Sequence, residues 1–145
     1  MAYKNLEITG VNTAYQQSTK QQHFYKGFSS LDDTNTGSRL YDLDLIKQDI
    51  INNFNTRKGS RVMKPNYGSI IWDLLMEPLT DQTTESLKDD VTRICTADPR
   101  VVPTQMDLTE YDKGYLLEIT LTLKATNESA SMRLTFDQSI GLVAQ

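Results

Sequence analysis

The chain has 145 residues, of which 38% are hydrophobic and 23% charged, and its net charge is −4. That length supports one domain with a modest core and no covalent staples, and the composition is globular rather than disordered. The acidic balance argues against nucleic-acid binding, and one cysteine excludes an intrachain disulfide and a cysteine-rich metal site; no apolar run of about 18 residues offers a membrane helix.

The start, Met1-Ala2-Tyr3-Lys4, has no signal-peptide pattern, so folding in a reducing cytoplasm is expected. Residues 1–40 read as a polar, extended N-terminal arm, and residues 41–145 as a single α+β domain. Leu6 and Ile8 alternate briefly before Gly10, which predicts a short strand. Asn12 to Gln22 holds four Gln and little that is apolar, so by itself it buries too little surface to order. His23-Phe24-Tyr25-Lys26-Gly27-Phe28 brings aromatic residues with which the arm docks on this domain or on a neighbour. A polar loop, Ser29 to Ser38, follows.

From Asp42 to Phe54 the spacing predicts a helix with Leu43, Ile46, Ile50 and Phe54 on one stripe, Ile51 widening it, and Lys47, Gln48, Asn52 and Asn53 facing water. Next comes a tight turn, Asn55 to Arg61, in which Gly59 is expected to take a positive φ. Arg57, Lys58, Arg61 and Lys64 cluster here. They read either as cations stabilising the end of the preceding helix or as a contact surface for a carboxylate or phosphate. Pro65-Asn66-Tyr67-Gly68 makes a further turn, and Ser69 to Met76 a short buried helical segment stopped by Pro78, with Trp72 as a core anchor.

Thr80 is placed to cap a second long helix, on which Thr84, Leu87, Val91, Ile94 and Cys95 form one stripe. Cys95 therefore reads as a small buried hydrophobe rather than a reactive thiol. Pro99 should stop this helix near Ala97 and leave Arg100 projecting from the corner. After it the period becomes two. Tyr115, Leu117, Ile119, Leu121 and Leu123 share one face, as do Ala130, Met132, Leu134 and Phe136. Val102, Met106 and Leu108 give a weaker first strand, which Pro103 assigns to an edge or an irregular start. Turns at Asp112-Lys113-Gly114 and Asn127-Glu128-Ser129 join these strands, and the apolar tail Ser139 to Gln145 extends the sheet or pairs with a partner. The predicted architecture is two main helices and a short helical segment on an antiparallel meander of three or more strands.

No catalytic constellation emerges. His23 is the lone histidine and lies in the arm, no calcium-loop or phosphate-loop spacing occurs, and position 54, where a P-loop before Lys58-Gly59-Ser60 needs glycine, is Phe54. No metal or cofactor is expected. Glu77, Glu85, Glu110 and Glu118 are carboxylates of the type a glycosidase pairs at about 5 to 9.5 Å, but nothing in the sequence requires such a pair.

Thr56-Arg57-Lys58-Gly59-Ser60-Arg61, then Pro65-Asn66-Tyr67-Gly68, a second helix and Asp98-Pro99-Arg100 leading into a meander resemble, in order and spacing, the baseplate wedge family of contractile tails. That family includes the T-even phage wedge protein once described as a baseplate lysozyme and the TssE subunit of type VI secretion. The resemblance covers about Leu40 to Phe136, with Asp98 standing where the family has Glu. It implies a structural virion protein of the tail baseplate, monomeric alone and in a ring of copies when assembled. Its partners would be other wedge proteins, met at their helical core bundle, and the tail sheath protein, whose first ring would add strands to its sheet. Partner-binding residues implied this way are Asp98, Pro99 and Arg100, with Arg57, Lys58, Gly59, Ser60 and Arg61 as a basic contact loop. A tail-associated muramidase and a TssE-like secretion subunit stand as the alternatives.

Overall fold

The computed structural model describes residues 22–30, 39–78 and 80–145. The strand expected at Leu6 and Ile8, nearly all of the Asn12–Gln22 run and most of the loop before Arg39 lie outside those residues.

Two short strands come first, β1 (Lys26–Phe28) and β2 (Arg39–Tyr41), paired antiparallel. They lie beside helix α1 (Asp42–Asn55) so closely that a Cβ on Gly27 would sit 2.3 Å from Leu45. Asp42 ties the two together. Its carboxylate accepts from the backbone of Phe24 and Tyr25 at 2.9 and 2.8 Å and meets His23 Nδ1 at 3.0 Å. The expected apolar stripe of α1 is buried at Ile46, Ile50 and Phe54, with Leu43 and Ile51 packed partly against the core. Gln48 departs from the expectation: it is 5% exposed rather than facing water. Ser30, two residues after β1, lies on that flank of the helix, and Gln48 Nε2 donates to its Oγ at 2.9 Å.

Helix α2 (Ile71–Leu74) is a single turn, shorter than the apolar run suggests. Trp72 packs edge-on to Phe136 with ring centroids 6.0 Å apart, and its indole N–H donates to the Phe54 carbonyl at the end of α1. It is the expected core anchor. Helix α3 (Asp81–Thr96) begins at Thr80, whose hydroxyl accepts from Thr83 N, while Thr83 Oγ1 accepts from Thr80 N. This reciprocal cap satisfies two of the free donors at the helix start. The helix ends at Ala97, as Pro99 requires. Leu87, Val91, Ile94 and Cys95 are buried on its inner face, and burial pushes the Cys95 thiol up to about 12, so it packs rather than reacts.

The sheet is an antiparallel meander in the order β3 (Val101–Tyr111), β4 (Gly114–Leu123), β5 (Ser129–Asp137) and β6 (Gly141–Ala144). The tail is thus the fourth strand. On β4, Tyr115, Leu117, Ile119, Leu121 and Leu123 are all buried against α1 and α3, together contributing roughly 10 kcal/mol as an upper estimate. Opposite them stand Phe136, Leu134 and Met132 of β5. The outer face is polar: Arg133 Nε donates to Glu118 at 2.7 Å, and the hydroxyls of Thr104, Thr122 and Ser129 form a chain at 2.9 Å steps.

In β3 the structure corrects the expected facing. Val102 is 46% exposed, and Val101, 3% exposed, takes the core position. The pairing steps from Pro103↔Leu121 to Gln105↔Thr120, so Thr104 is an extra residue in a bulge. One inserted residue reverses the in–out parity, which lets Val101 before it and Met106 and Leu108 after it face the same side. As the proline suggested, β3 is an edge strand with an irregular start. The two edges differ: β3 carries Pro103, the bulge, Asp107 and Glu110, whereas β6 (Gly-Leu-Val-Ala) carries neither proline nor charge.

Candidate functional site

Asp98, Pro99 and Arg100 occupy the corner between α3 and β3. Asp98 Oδ1 accepts from Arg100 N at 2.9 Å, an Asx turn that fixes the corner. A glutamate would place its oxygens one methylene farther from this i+2 amide, so the shorter acid has a local function here. The same carboxylate takes the Arg100 side chain through Nε at 2.9 Å and Nη2 at 2.5 Å, and Nη2 reaches Asp49 of α1 at 2.6 Å. The Arg100 side chain is 25% exposed and lies over the Tyr25 ring at 5.6 Å. Instead of projecting freely from the corner, Arg100 is clasped by two acids of its own chain. Nη1 makes no hydrogen bond among the described residues.

The electrostatics agree with this geometry. Burial works to raise the Asp98 carboxyl, but the hydrogen bonds and charge of Arg100, helped by Lys124, outweigh it and hold it below the usual carboxylate range. The hydrogen bond to Asp98, against the opposing effect of burial, raises Arg100 further above its already high value.

The basic loop is built on a different scaffold. Thr56 and Lys58 bracket Ser69 through Ser69 N–Thr56 O at 2.8 Å and Lys58 N–Ser69 O at 3.1 Å. Gly59 has the expected positive φ, 84°, and Ser60 Oγ donates to the Arg57 carbonyl at 2.7 Å. Arg57 pairs with Asp73, and the Arg61 guanidinium sits 4.5 Å over the Tyr67 ring. The carbonyls ending α1 are met by Thr56 Oγ1, Thr56 N and Trp72 Nε1. Of the two sequence readings of these cations, the helix-end role is therefore filled by other groups.

The structure brings part of both clusters together. Arg61 and Tyr67 face Asp98, Pro99 and Arg100 across a groove of about 660 Å³, whose wall on the α1 side includes Asp49 and Asn53. Arg57, Lys58 and Gly59 do not line it.

Sequence reasoning did not single out the pair that positions the loop. Asp90 is buried in α3 and accepts from Ser69 Oγ and Ile70 N, both at 3.0 Å. Its other oxygen holds Arg93, whose guanidinium donates to the carbonyls of Asn66 at 2.7 Å and Gly68 at 2.6 Å. Gly68 N in turn donates to Asn53 Oδ1 at 2.9 Å. The signal in the sequence was an acid and an arginine three apart on one helix, a pattern shared with any solvated helix face.

Of the carboxylates weighed for hydrolysis, only Glu85 and Glu110 come together. Glu118 is paired with Arg133, Glu77 is exposed beyond α2, and Glu85 shares a shallow depression with Lys88 and Glu110, which accepts from Thr84. Among the described residues no group of three His, Cys, Asp or Glu is arranged to hold a metal, and no helix is long and apolar enough to cross a membrane.

Residues 41–128, more than half of the chain, match the family described as Baseplate wedge protein gp25. Among solved structures, one similar fold is a candidate tail lysozyme from Geobacter sulfurreducens, at 20% identity and a TM-score of 0.52, over 63% of this chain and 90% of that one. Another is a chain of the anti-feeding prophage baseplate, also at 20% identity and 0.52, over 70% of this chain and 82% of that one. A search of curated protein sequences finds no match.

Proposed function

The chain belongs to the baseplate wedge protein gp25 family, and from that premise we propose that it docks on the helical core bundle of a wedge at the Asp98-Pro99-Arg100 corner and offers its sheet to the first ring of sheath. It is a structural component of a tail baseplate, and its partners include other baseplate proteins.

The observation that carries the docking reading is the shared groove, in which Arg61 and Arg100 approach one concave surface from two elements. Arg100 keeps Nη1 for an incoming acceptor while Asp98 and Asp49 fix its orientation, so little side-chain freedom is lost on binding. The difference between edges supports strand addition at β6. Proline, bulges and charges are the devices that block edge pairing, and β3 has them while β6 has none. Residues 1–40 act in this reading as an arm onto the same assembly. The role in this reading is non-catalytic: likeness to a tail lysozyme at 20% identity carries the fold alone, and the two carboxylates that come together, Glu85 and Glu110, share only a shallow depression.

The test is assembly in a host lacking the wild-type gene, using Arg100→Ala and, as a structural control, Asp49→Ala. Arg100→Ala should yield a soluble folded monomer that is missing from purified baseplates. Asp49→Ala, which removes the tie to α1 but keeps the guanidinium at the corner, should be incorporated less well than wild type and better than Arg100→Ala. Normal sheathed tails from Arg100→Ala would reject the docking role.

A further inference from the structure

The loop between α1 and α2 exposes two consecutive hydrophobic residues at its tip, Val62 at 88% and Met63 at 94%. Met63 also holds φ 68°, the left-handed region that side chains other than Gly, Asn and Asp seldom occupy. A strained backbone that places a methionine in water gains nothing inside this chain, and such residues collect at sites of contact.

The tip is braced. Lys64 N donates to Arg61 O at 3.2 Å, Tyr67 N to Lys64 O at 3.0 Å, and Arg61 stacks on Tyr67. At the loop's base, Arg93 grips the carbonyls of Asn66 and Gly68. Its charge is one-sided as well. No Asp or Glu occurs between Asp49 and Asp73, a stretch with four cations, although the whole chain carries −4. Arg61, next to the apolar pair, lines the groove that Arg100 closes.

We propose that Val62 and Met63 are the apolar anchors of the docking surface, and that their partner is an acidic, amphipathic protein segment. Its apolar side chains cover the tip, and its carboxylates meet Arg61 in the groove and Lys58 and Lys64 on the same loop outside it. Complementary charge selects the partner and speeds encounter, while burial of the two side chains slows release. This rests on the docking reading above and adds residues and a partner chemistry to it.

The experiment measures binding of the purified full chain to wedges isolated from a host lacking this gene, at low and high salt. Wild type is compared with Val62→Ser/Met63→Ser, Met63→Asn and Arg100→Ala. The double variant should keep its thermal midpoint and lose at least tenfold in affinity. Met63→Asn should keep or raise the midpoint, because Asn suits the backbone, and still bind more weakly. Wild-type affinity in both tip variants, with loss only in Arg100→Ala, overturns the anchor role and leaves the docking reading intact. Wild-type affinity in all three rejects both. Salt-independent binding overturns the acidic partner. Loss of binding to phosphatidylserine vesicles in the double variant, with wedge binding unchanged, reassigns the tip to a membrane surface.

Discussion

Asp90→Ala isolates the clamp that holds the loop against α3. The Asp90 side chain is 3% exposed and accepts four hydrogen bonds, from Ser69 Oγ, Ile70 N, and Nε and Nη2 of Arg93. Alanine strands two neutral donors, the buried Ser69 hydroxyl at about 2 kcal/mol and the part-buried Ile70 N–H at about 1 kcal/mol. Arg93, with a side chain 35% exposed, can regain water, so its lost pairing adds less than about 1 kcal/mol. The sum is about 3 kcal/mol, which for a chain of this size lowers the melting temperature by roughly 10 °C. Asp90→Asn retains an acceptor for Ser69 and Ile70 and should cost less than half as much. Thermal and urea unfolding followed by circular dichroism read both variants, with an unchanged urea slope confirming a like-for-like comparison. An Asp90→Ala protein within about 0.5 kcal/mol of wild type would refute the clamp.

Two glycines of the same loop should separate crowding from backbone strain. A Cβ on Gly68, at φ 104°, would lie 2.6 Å from Thr56 O and 2.8 Å from Arg57 C, whereas one on Gly59, at φ 84°, meets nothing within 4 Å. Gly59→Ala should therefore cost only the left-handed penalty of about 1 kcal/mol and Gly68→Ala at least twice that, and equal melting temperatures for the two would contradict this account. Acid titration tests the corner. Both Asp98 and Asp42 are pushed up by burial but held lower overall, Asp98 by Arg100 and Asp42 by the amides of Tyr25 and Phe24 and by His23. A native pKa below the unfolded value means stability that is full above about pH 4 and is lost as pH falls through the native value. Melting temperatures measured down to pH 2.5 should decline below that point, less steeply in Asp98→Asn; a rise on acidification from pH 5 to 3 would overturn the assignment.

The parts of this fold governed by local repetition were legible in the sequence. A 3.6-residue stripe buries Ile46, Ile50 and Phe54, and strict alternation from Tyr115 to Leu123 buries every second residue of β4. Thr80 and Pro99 bound α3 through chemistry confined to one turn. The departures come where distant chain decides. Gln48 is buried by a segment 18 residues away, and Val102 turns outward because a bulge resets the parity of β3. The corner and the basic loop were visible as motifs, but their common groove was not, since it depends on how α1 lies between them. Arg100 looked free because its second acid, Asp49, is 51 residues away.

That separation also bears on how the chain acquires its shape. Each strand of the meander pairs with its neighbour in sequence across turns of two, five and three residues, so the sheet can zip from hairpin to hairpin at little entropic cost. The groove cannot form that way, because α1, the loop and the corner meet only when the chain between Asp49 and Arg100 has closed upon itself. It is absent from a chain with a finished sheet and an undocked first helix. Any ligand of the groove therefore binds the native state alone, and its affinity adds directly to the stability of the whole domain.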